Sequence, residues 1–514
     1  MFDTRDFAFQ GGGRGGHRAA ATEGQERNPV TAQTPVHGDA ARLMTTGGDA
    51  RIVLRPETGL NRYHSAPRPS AVLAYASSTA NDISPAAFDH AEAVLAGMGG
   101  ALSGRAYAER LEGLRGRIRK AYSVPDDVDI VFAPSGTDLE YVALACAAGR
   151  GHAGTHNILL GADEVGSGCI HSAFGRYFAR ETALGIATLP GEPVPGLGET
   201  HVALVDVPVR DGRGRARPSA EIAARMDEAI GEARSAGRHV LVHAVHGSKT
   251  GLILPSLAHL DRLVAKNGDS VTFVVDACQA RITSPAIADY LDRGAIVFIT
   301  GSKFMGGPPF SGFALIPRLF RERSRALARG LATIFRRGEW PEGWPGGEAL
   351  EDGANPGLLL RLEASIFELE RFQRLSLGEV TRIILCFHQA VREEIVERTP
   401  AHRVAPYPPG EKETADTHPI EMRTLSTLDL SEFGGGARFE DSVRWHKAML
   451  DHAVRLGQPV KCVKLADGSW GATLRIGLSM PMVVERAALD EEALRRSFAE
   501  DMARVRGALE AVGA

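Results

Sequence analysis

The stretch from Phe273 to Gly312 constrains this chain most. It starts within an apolar, β-branched run, Val271 to Val275, that ends on Asp276. A helix-like segment follows, then a second β-rich run, Ala295 to Thr300. The chain next turns through Gly301 and Ser302 onto Lys303, with Gly306-Gly307-Pro308-Pro309 behind it. Strand, acid, helix, strand, lysine is a βαβ unit with polar residues at its strand ends, where open parallel sheets place their ligands. A lysine at such an end, beside a glycine-rich loop, suits covalent chemistry better than packing. The plain alternative is an ordinary βαβ unit with a surface lysine. Either way, the expected fold class is α/β.

Asp276-Ala-Cys-Gln279 and Thr300-Gly301-Ser302-Lys303, with 27 positions from acid to lysine (303 − 276), form a recognisable pair of motifs. The pattern resembles fold-type I pyridoxal-phosphate (PLP) enzymes, in particular the class-V aminotransferase and cysteine desulfurase group. The resemblance covers roughly residues 65 to 500, with its specificity in a few short motifs. It implies a large domain built on a mostly parallel, seven-stranded-type sheet flanked by helices, then a smaller α+β domain. It also implies a homodimer with shared active sites. Lys303 would hold PLP as a Schiff base and then act as the base at Cα. Asp276 would keep the pyridine nitrogen protonated, and Gln279 would hydrogen-bond the phenolic oxygen.

Other motifs fall into place around that pair. Val128 to Ala133 reads as a strand and Leu139 to Ala148 as an apolar helix, with Ser135-Gly136-Thr137 turning between them. Such a turn presents free N–H groups and the positive end of a helix dipole, a natural seat for phosphate. It also serves as a plain helix cap. The resemblance assigns the cofactor phosphate to this turn and to Ser302, with Thr300 also at the cofactor. Where the group carries a ring-stacking histidine, this chain has Glu164 and Val165, so Val165 is left to pack on the ring. His171 belongs to the following helix or lies over the ring. Thr250-Gly251 matches the group's pattern, but Ser248 replaces its asparagine.

Two candidates concern substrate. Arg475, on the strand-like Thr473 to Ser479, matches the group's clamp for an α-carboxylate, because guanidinium and carboxylate pair as a fork. Otherwise it is a surface arginine, and Arg176 or Arg281 would be the clamp. Ser78, in the small polar stretch Ser77 to Asn81, would reach substrate at the site mouth. The competing reading is a strand-to-helix cap with Ser84 or Asp82 as N-cap.

A chain of 514 residues exceeds one small core. Residues 1–50, rich in glycine and charge, read as a flexible arm. Residues 51–95 join the small domain and the site mouth, 96–375 form the PLP-binding domain, and 376–514 form the small domain. Expected strands include Arg51 to Leu54, Ala71 to Ala76, Asn157 to Gly161, His201 to Pro208, Arg238 to Val245, Ile420 to Leu425 and Val460 to Val463. Expected helices include Arg105 to Tyr122, Ser219 to Ala236, Arg318 to Arg337, Leu358 to Leu377, Phe439 to Leu456 and Leu489 to Val512. The Trp340 to Gly357 loop corresponds to one that reaches the neighbouring subunit's phosphate in the related dimers, with Asn355 or Pro356 in place of the usual threonine.

The net charge of −4 leaves no basic footprint for nucleic acid. No run of about 18 apolar residues suggests a membrane helix. The start of the chain lacks the apolar core of a secretory signal. Five cysteines do not make a disulfide framework, which points to a cytoplasmic setting. Nothing in the pattern calls for a metal.

The expected function is a PLP-dependent transformation of an amino acid through an external aldimine. An aminotransferase leads, because it needs little beyond Lys303 and the carboxylate clamp. A Cβ–X (C–S) lyase or a decarboxylase shares most of the rest. A desulfurase needs a mobile loop cysteine. Cys386 reads as core, while Cys462 lies where desulfurases carry theirs but in a strand-like pattern. The remaining alternative is a non-catalytic α/β binding protein.

Overall fold

The computed structural model describes residues 33–162, 164–166, 168–197, 202–408 and 424–513. Seven strands form its central sheet: β1 (Val128–Ala133), β2 (Thr155–Leu160), β3 (Ala203–Val207), β4 (His239–His246), β5 (Val271–Asp276), β6 (Ile296–Thr300) and β7 (Gly312–Pro317). Their spatial order is β1-β7-β6-β5-β4-β2-β3. β7 runs antiparallel to both neighbours, and all other pairs are parallel. A short strand, Ile253–Leu254, adds antiparallel to the end of β4. This is the mostly parallel, helix-flanked sheet expected from the sequence.

The strands are mostly apolar because both sheet faces are largely covered. Every residue of β1 and β4 is buried. The period-2 geometry still divides them, since successive side chains point to opposite faces. Ile130 and Phe132 join one core with Tyr107 and Leu111 of the helix Gly104–Tyr122. Val131 and Ala133 join a second core with Leu139 and Tyr141 of the helix Leu139–Ala147. Register aligns the strand ends: Asp276 lies opposite Val245 of β4 and Phe298 of β6. The polar residues that follow these strands therefore emerge along one edge.

Toward the C-terminus, His402–Arg403, Leu425–Asp429 and Thr473–Gly477 form a three-stranded antiparallel sheet. The helices Leu377–Val391 and Glu491–Gly513 belong to the same part of the chain. Leu73–Tyr75 pairs in parallel with Val454–Leu456, so the segment before the large sheet is tied to the last third of the chain.

Several expectations are corrected. Residues 33–50 are no loose arm: Gln33–Pro35 pairs with Ala101–Ser103, and Ala40, Ala41 and Met44 are buried. The rest of that arm, residues 1–32, lies outside the described residues. Arg51 to Leu54 is irregular rather than a strand. The arginine-rich stretch is not one helix. It stops at Arg323, because the backbone then bonds outward, as where the Gly330 N–H donates to Pro195 O at 2.8 Å. The helix from Phe439 ends at Ala448, since Val454–Leu456 finds a strand partner in Leu73–Tyr75. Val460 to Val463 forms no regular strand: the Thr473 hydroxyl donates to Val460 O at 2.6 Å and accepts its N–H at 3.0 Å, and Val463 O accepts the Gly471 N–H at 3.0 Å. The helix expected from Leu358 spans Pro356–Phe372. The strand expected at Ile420 to Leu425 instead starts at Leu425, and 420–423 fall outside the described residues.

Candidate active site

The C-terminal ends of β1, β2, β4, β5 and β6 surround a cavity of about 420 Å³. Every residue assigned to a site above, from Ser78 to Arg475, lines it. They come from opposite ends of the sequence, yet the sheet edge and the Thr473–Gly477 strand bring them together.

Lys303 follows β6 through a two-residue turn. Its Nζ donates a short hydrogen bond to the Thr79 carbonyl. Burial, and then the Arg475 cation, hold the amine at about 7 rather than 10.5. A large share is therefore the free base at neutral pH, which a covalent lysine needs. Asp276 ends β5, and its Oδ1 accepts the Cys278 N–H at 2.9 Å. Burial raises its pKa, against the Lys249 and Lys303 cations.

Gln279 is oriented by a neighbour that the sequence did not single out for this purpose. Arg281 is fully buried, and its Nη1 donates to Gln279 Oε1 at 2.8 Å. Arginine has donors only, so the amide atom facing it must be the oxygen. Gln279 Nε2 then donates to Ser78 O at 3.3 Å and keeps one N–H for the cavity. Ala280, with φ of 56°, makes the tight turn between the two side chains.

The Ser135-Gly136-Thr137 turn leads into the helix Leu139–Ala147. Among the described residues, the Gly136 and Thr137 N–H groups have no hydrogen-bond partner. A Cβ on Gly136 would lie 2.9 Å from Thr300 Cγ2 and 3.1 Å from Cys278 Sγ, so only glycine keeps this cradle open. Three predicted cofactor residues have hydroxyls committed to close bonds. Thr300 Oγ1 donates to Cys278 O, Ser248 Oγ to Glu164 Oε2 and Ser135 Oγ to Asp138 Oδ2, each at 2.6 Å. They shape the wall rather than offering free donors.

Arg475 is buried, and burial lowers its pKa to about 10. Its donors go to neutral oxygens: Nε to Gln458 O at 2.8 Å, Nη1 to Lys249 O at 3.1 Å and Ser78 O at 3.4 Å, and Nη2 to Thr79 Oγ1 at 3.1 Å. No carboxylate within the described residues pairs with it. One N–H on Nη2 is left over. The complete fork expected from the sequence is therefore not free, although the buried positive charge is. Among the described residues, the Oγ of Ser78, also buried, has no hydrogen-bond partner. Of the alternative clamps, neither Arg281 nor Arg176 lines the cavity.

Where a ring-stacking histidine was sought, Val165 is buried on the cavity wall. Glu164 beside it anchors a buried network. It forms an ion pair with Arg210, whose Nε lies 2.8 Å from Oε1, and accepts the Thr250 N–H at 3.0 Å. Burial opposes its charge, but Arg210 and the hydroxyls of Ser248 and Thr250 hold its pKa below the ordinary value. His171 sits on the helix Cys169–Ala173, off the cavity. His243 lies inside β4 near Glu140, and His246 bonds Tyr290 Oη at 3.0 Å. Sequence reading missed Arg51, Tyr63 and Lys249 as lining residues. Only the position of Lys249 between Ser248 and Thr250 offered a signal.

The donor set fits PLP: a buried amine of low pKa, an acid at the neighbouring strand end, an open N–H cradle, and a buried cation without an acid. No family model matches the chain, and no curated protein matches its sequence. Solved structures do match. The Escherichia coli cysteine desulfurase CsdA is 14% identical, covers 86% of this chain and 95% of its own, and gives a TM-score of 0.53. A NifS-like protein is 13% identical over 85% and 99%, with a TM-score of 0.52. The cystine C–S lyase C-DES, in complex with its product cysteine persulfide, is 14% identical over 84% and 97%, with a TM-score of 0.51. With the strand order and the site at the strand ends, these similarities give the chain the fold-type I fold of PLP-dependent enzymes.

Proposed function

We propose that the protein is a PLP-dependent enzyme acting on an α-amino acid, and that it is an aminotransferase. The observation that carries the reading is the Lys303 amine, held at about 7 in a cavity it shares with Asp276 and Arg475. Bound there, PLP supplies an electron sink for the pair released at the substrate's Cα.

This chain's own residues supply the rest. Lys303, about half of it unprotonated at neutral pH, would be the nucleophile that secures the cofactor covalently. With cofactor and substrate bound, the same Nζ would be the base placed to hold and move the Cα proton. Asp276 keeps a proton on the pyridine nitrogen. Gln279, turned by Arg281, donates to the phenolic oxygen. Gly136, Thr137 and Ser302 bond the phosphate. Arg475 draws in the α-carboxylate through its charge and its remaining N–H.

Sulfur transfer is disfavoured by the cysteines. Cys462 and Cys386 are buried and off the cavity, and burial pushes the Cys462 thiol up to about 12. Cys169 and Cys278 do line the cavity, but burial raises both thiols well above their ordinary value. Nucleophilic attack needs the thiolate. We further place the protein in the cytoplasm as a class-V-like homodimer. Free cysteines support the first, and the resemblance supports the second.

Purified protein incubated with single amino acids tests the reaction. Transamination leaves one equivalent of 2-oxo acid and the cofactor in its amine form. Ammonia with pyruvate would mean a lyase instead, and carbon dioxide a decarboxylase. Borohydride reduction should fix the cofactor on the Lys303 peptide. Colourless protein that binds no PLP and takes no label overturns the assignment.

A further inference from the structure

The phosphate cradle is short of charge. Its donors, the Gly136 and Thr137 N–H groups and the Thr137 and Ser302 hydroxyls, are neutral. The nine residues after Lys303, Phe304 to Gly312, contain no lysine or arginine. A phosphate monoester carries about −1.5 to −2 at neutral pH, and a helix N-terminus offsets only about half a charge. A cation must come from elsewhere. Arg475 is held on the side where Ser78 and Gln458 lie, its Nη1 donating to the backbone carbonyl of Lys249.

Resting on the PLP reading, we propose that Arg51 is the cation that binds the cofactor phosphate, delivered by the N-terminal segment of the same chain. Arg51 lines the cavity. Its guanidinium lies between two aromatic rings, 4.6 Å from the Phe310 centroid and 5.0 Å from that of Phe178. Phe310 belongs to the loop between Lys303 and β7, it lines the same cavity, and the first residue of β7 abuts the cradle. A Cβ on Gly312 would lie 3.3 Å from the Ser135 carbonyl and 3.5 Å from Gly136 N. Asp49 occupies one side of the guanidinium, with Oδ1 and Oδ2 at 2.9 and 3.0 Å from Nε and Oδ2 at 2.8 Å from Nη2. Nη1 donates no hydrogen bond among the described residues. Asp138, behind the turn, accepts the Ser135 hydroxyl at 2.6 Å, and burial pushes its carboxyl up to about 7. About half of it is therefore protonated at neutral pH, which lessens its opposition to an anion.

The segment that carries Arg51 is held with unusual force for a stretch so close to a low-complexity tail. Arg361 is fully buried. Its Nε donates to Phe310 O at 2.7 Å, Nη1 to Met44 O at 2.8 Å and Thr46 O at 2.6 Å, and Nη2 to Gly47 O at 2.7 Å. One guanidinium thus fixes the Arg51 segment against the very loop on which Arg51 stacks. Asn355 adds a bond from Nδ2 to Gly47 O at 3.2 Å, while its Oδ1 accepts the Leu358 N–H at 3.0 Å. The residue that resemblance would send to a neighbour's phosphate is thereby committed within its own chain. Gly47, with φ of 63°, must be glycine, since a Cβ there would lie 1.8 Å from Asn355 Oδ1.

The experiment compares two probes on protein stripped of cofactor: pyridoxal phosphate and pyridoxal, which lacks the phosphate. Arg51→Met should weaken pyridoxal phosphate binding by about tenfold to a hundredfold, the loss of one charge-assisted pair. Pyridoxal binding should be unchanged. Arg51→Lys should recover part of the loss, because a point cation remains without the planar donors. Equal weakening of both probes makes Arg51 a structural residue and overturns the proposal, as does undiminished pyridoxal phosphate binding. If Arg51→Met loses its cooperative melt, Arg51→Lys carries the same two-probe comparison, with a selective loss expected. Wild-type protein that binds neither probe would instead refute the PLP reading.

Discussion

Lys303 offers a test that needs no cofactor and no substrate. In the folded chain its amine sits at about 7, and in the unfolded chain near 10.5. Between those values the unfolded state binds more protons, so stability rises with pH across that window. Below about pH 7 both states are protonated and the folded state bears the whole cost of a buried ammonium. At about 1.4 kcal/mol per pH unit, the interval from 10.5 to about 7 sets a ceiling of about 5 kcal/mol. Lys303 keeps some contact with the open cavity, so about 2–4 kcal/mol is the working figure. Lys303→Met preserves the stem and removes the charge, but leaves the Thr79 carbonyl without its donor, a cost of about 1 kcal/mol. Cofactor-free Lys303→Met should then be more stable than cofactor-free wild type at about pH 6, by about 1–3 kcal/mol. The gap should close as the pH approaches 10.5. Urea unfolding of both proteins at several pH values between about 6 and 9.5 measures this directly. A variant less stable than wild type at the acid end, or one with the same pH slope, would refute a buried, deprotonation-prone amine.

Three further perturbations address neighbouring groups. Arg475→Lys should lower kcat/KM for the preferred amino acid by about 10- to 100-fold, because one charge-assisted bond and its field are lost; an unchanged value would mean the α-carboxylate is bound elsewhere. Arg281→Met frees the Gln279 amide to rotate, so the pH midpoint of the bound cofactor's visible absorbance should rise by about one unit as the phenolic oxygen loses a donor; an unmoved midpoint would mean Gln279 is held without Arg281. Cys462→Ser should leave turnover within about twofold, since a buried, protonated thiol is no nucleophile; loss of turnover would revive sulfur transfer.

The sequence by itself determined the sheet and the position of the chemistry along it. Runs such as VTFVVD and IVFIT are mostly apolar because they are buried on both faces. In a parallel sheet the residues just past each strand share one edge. Asp276, Lys303 and the Ser135-Gly136-Thr137 turn follow from local order alone. Tertiary structure decided what depends on distant partners. Thr300 and Ser248 carry the expected residue types, yet their hydroxyls are taken by Cys278 and Glu164. Arg475 has most of its donors spent on backbone oxygens and a hydroxyl from three other segments. Residues 33–50 show little periodicity because their one helix, Ala40–Leu43, is a single turn, too short to repeat a pattern. They are ordered by groups such as Arg361, whose bond to Met44 spans 317 positions. A buried guanidinium that collects carbonyls across that separation leaves no local pattern, since neither its donors nor their acceptors are special until the fold brings them together.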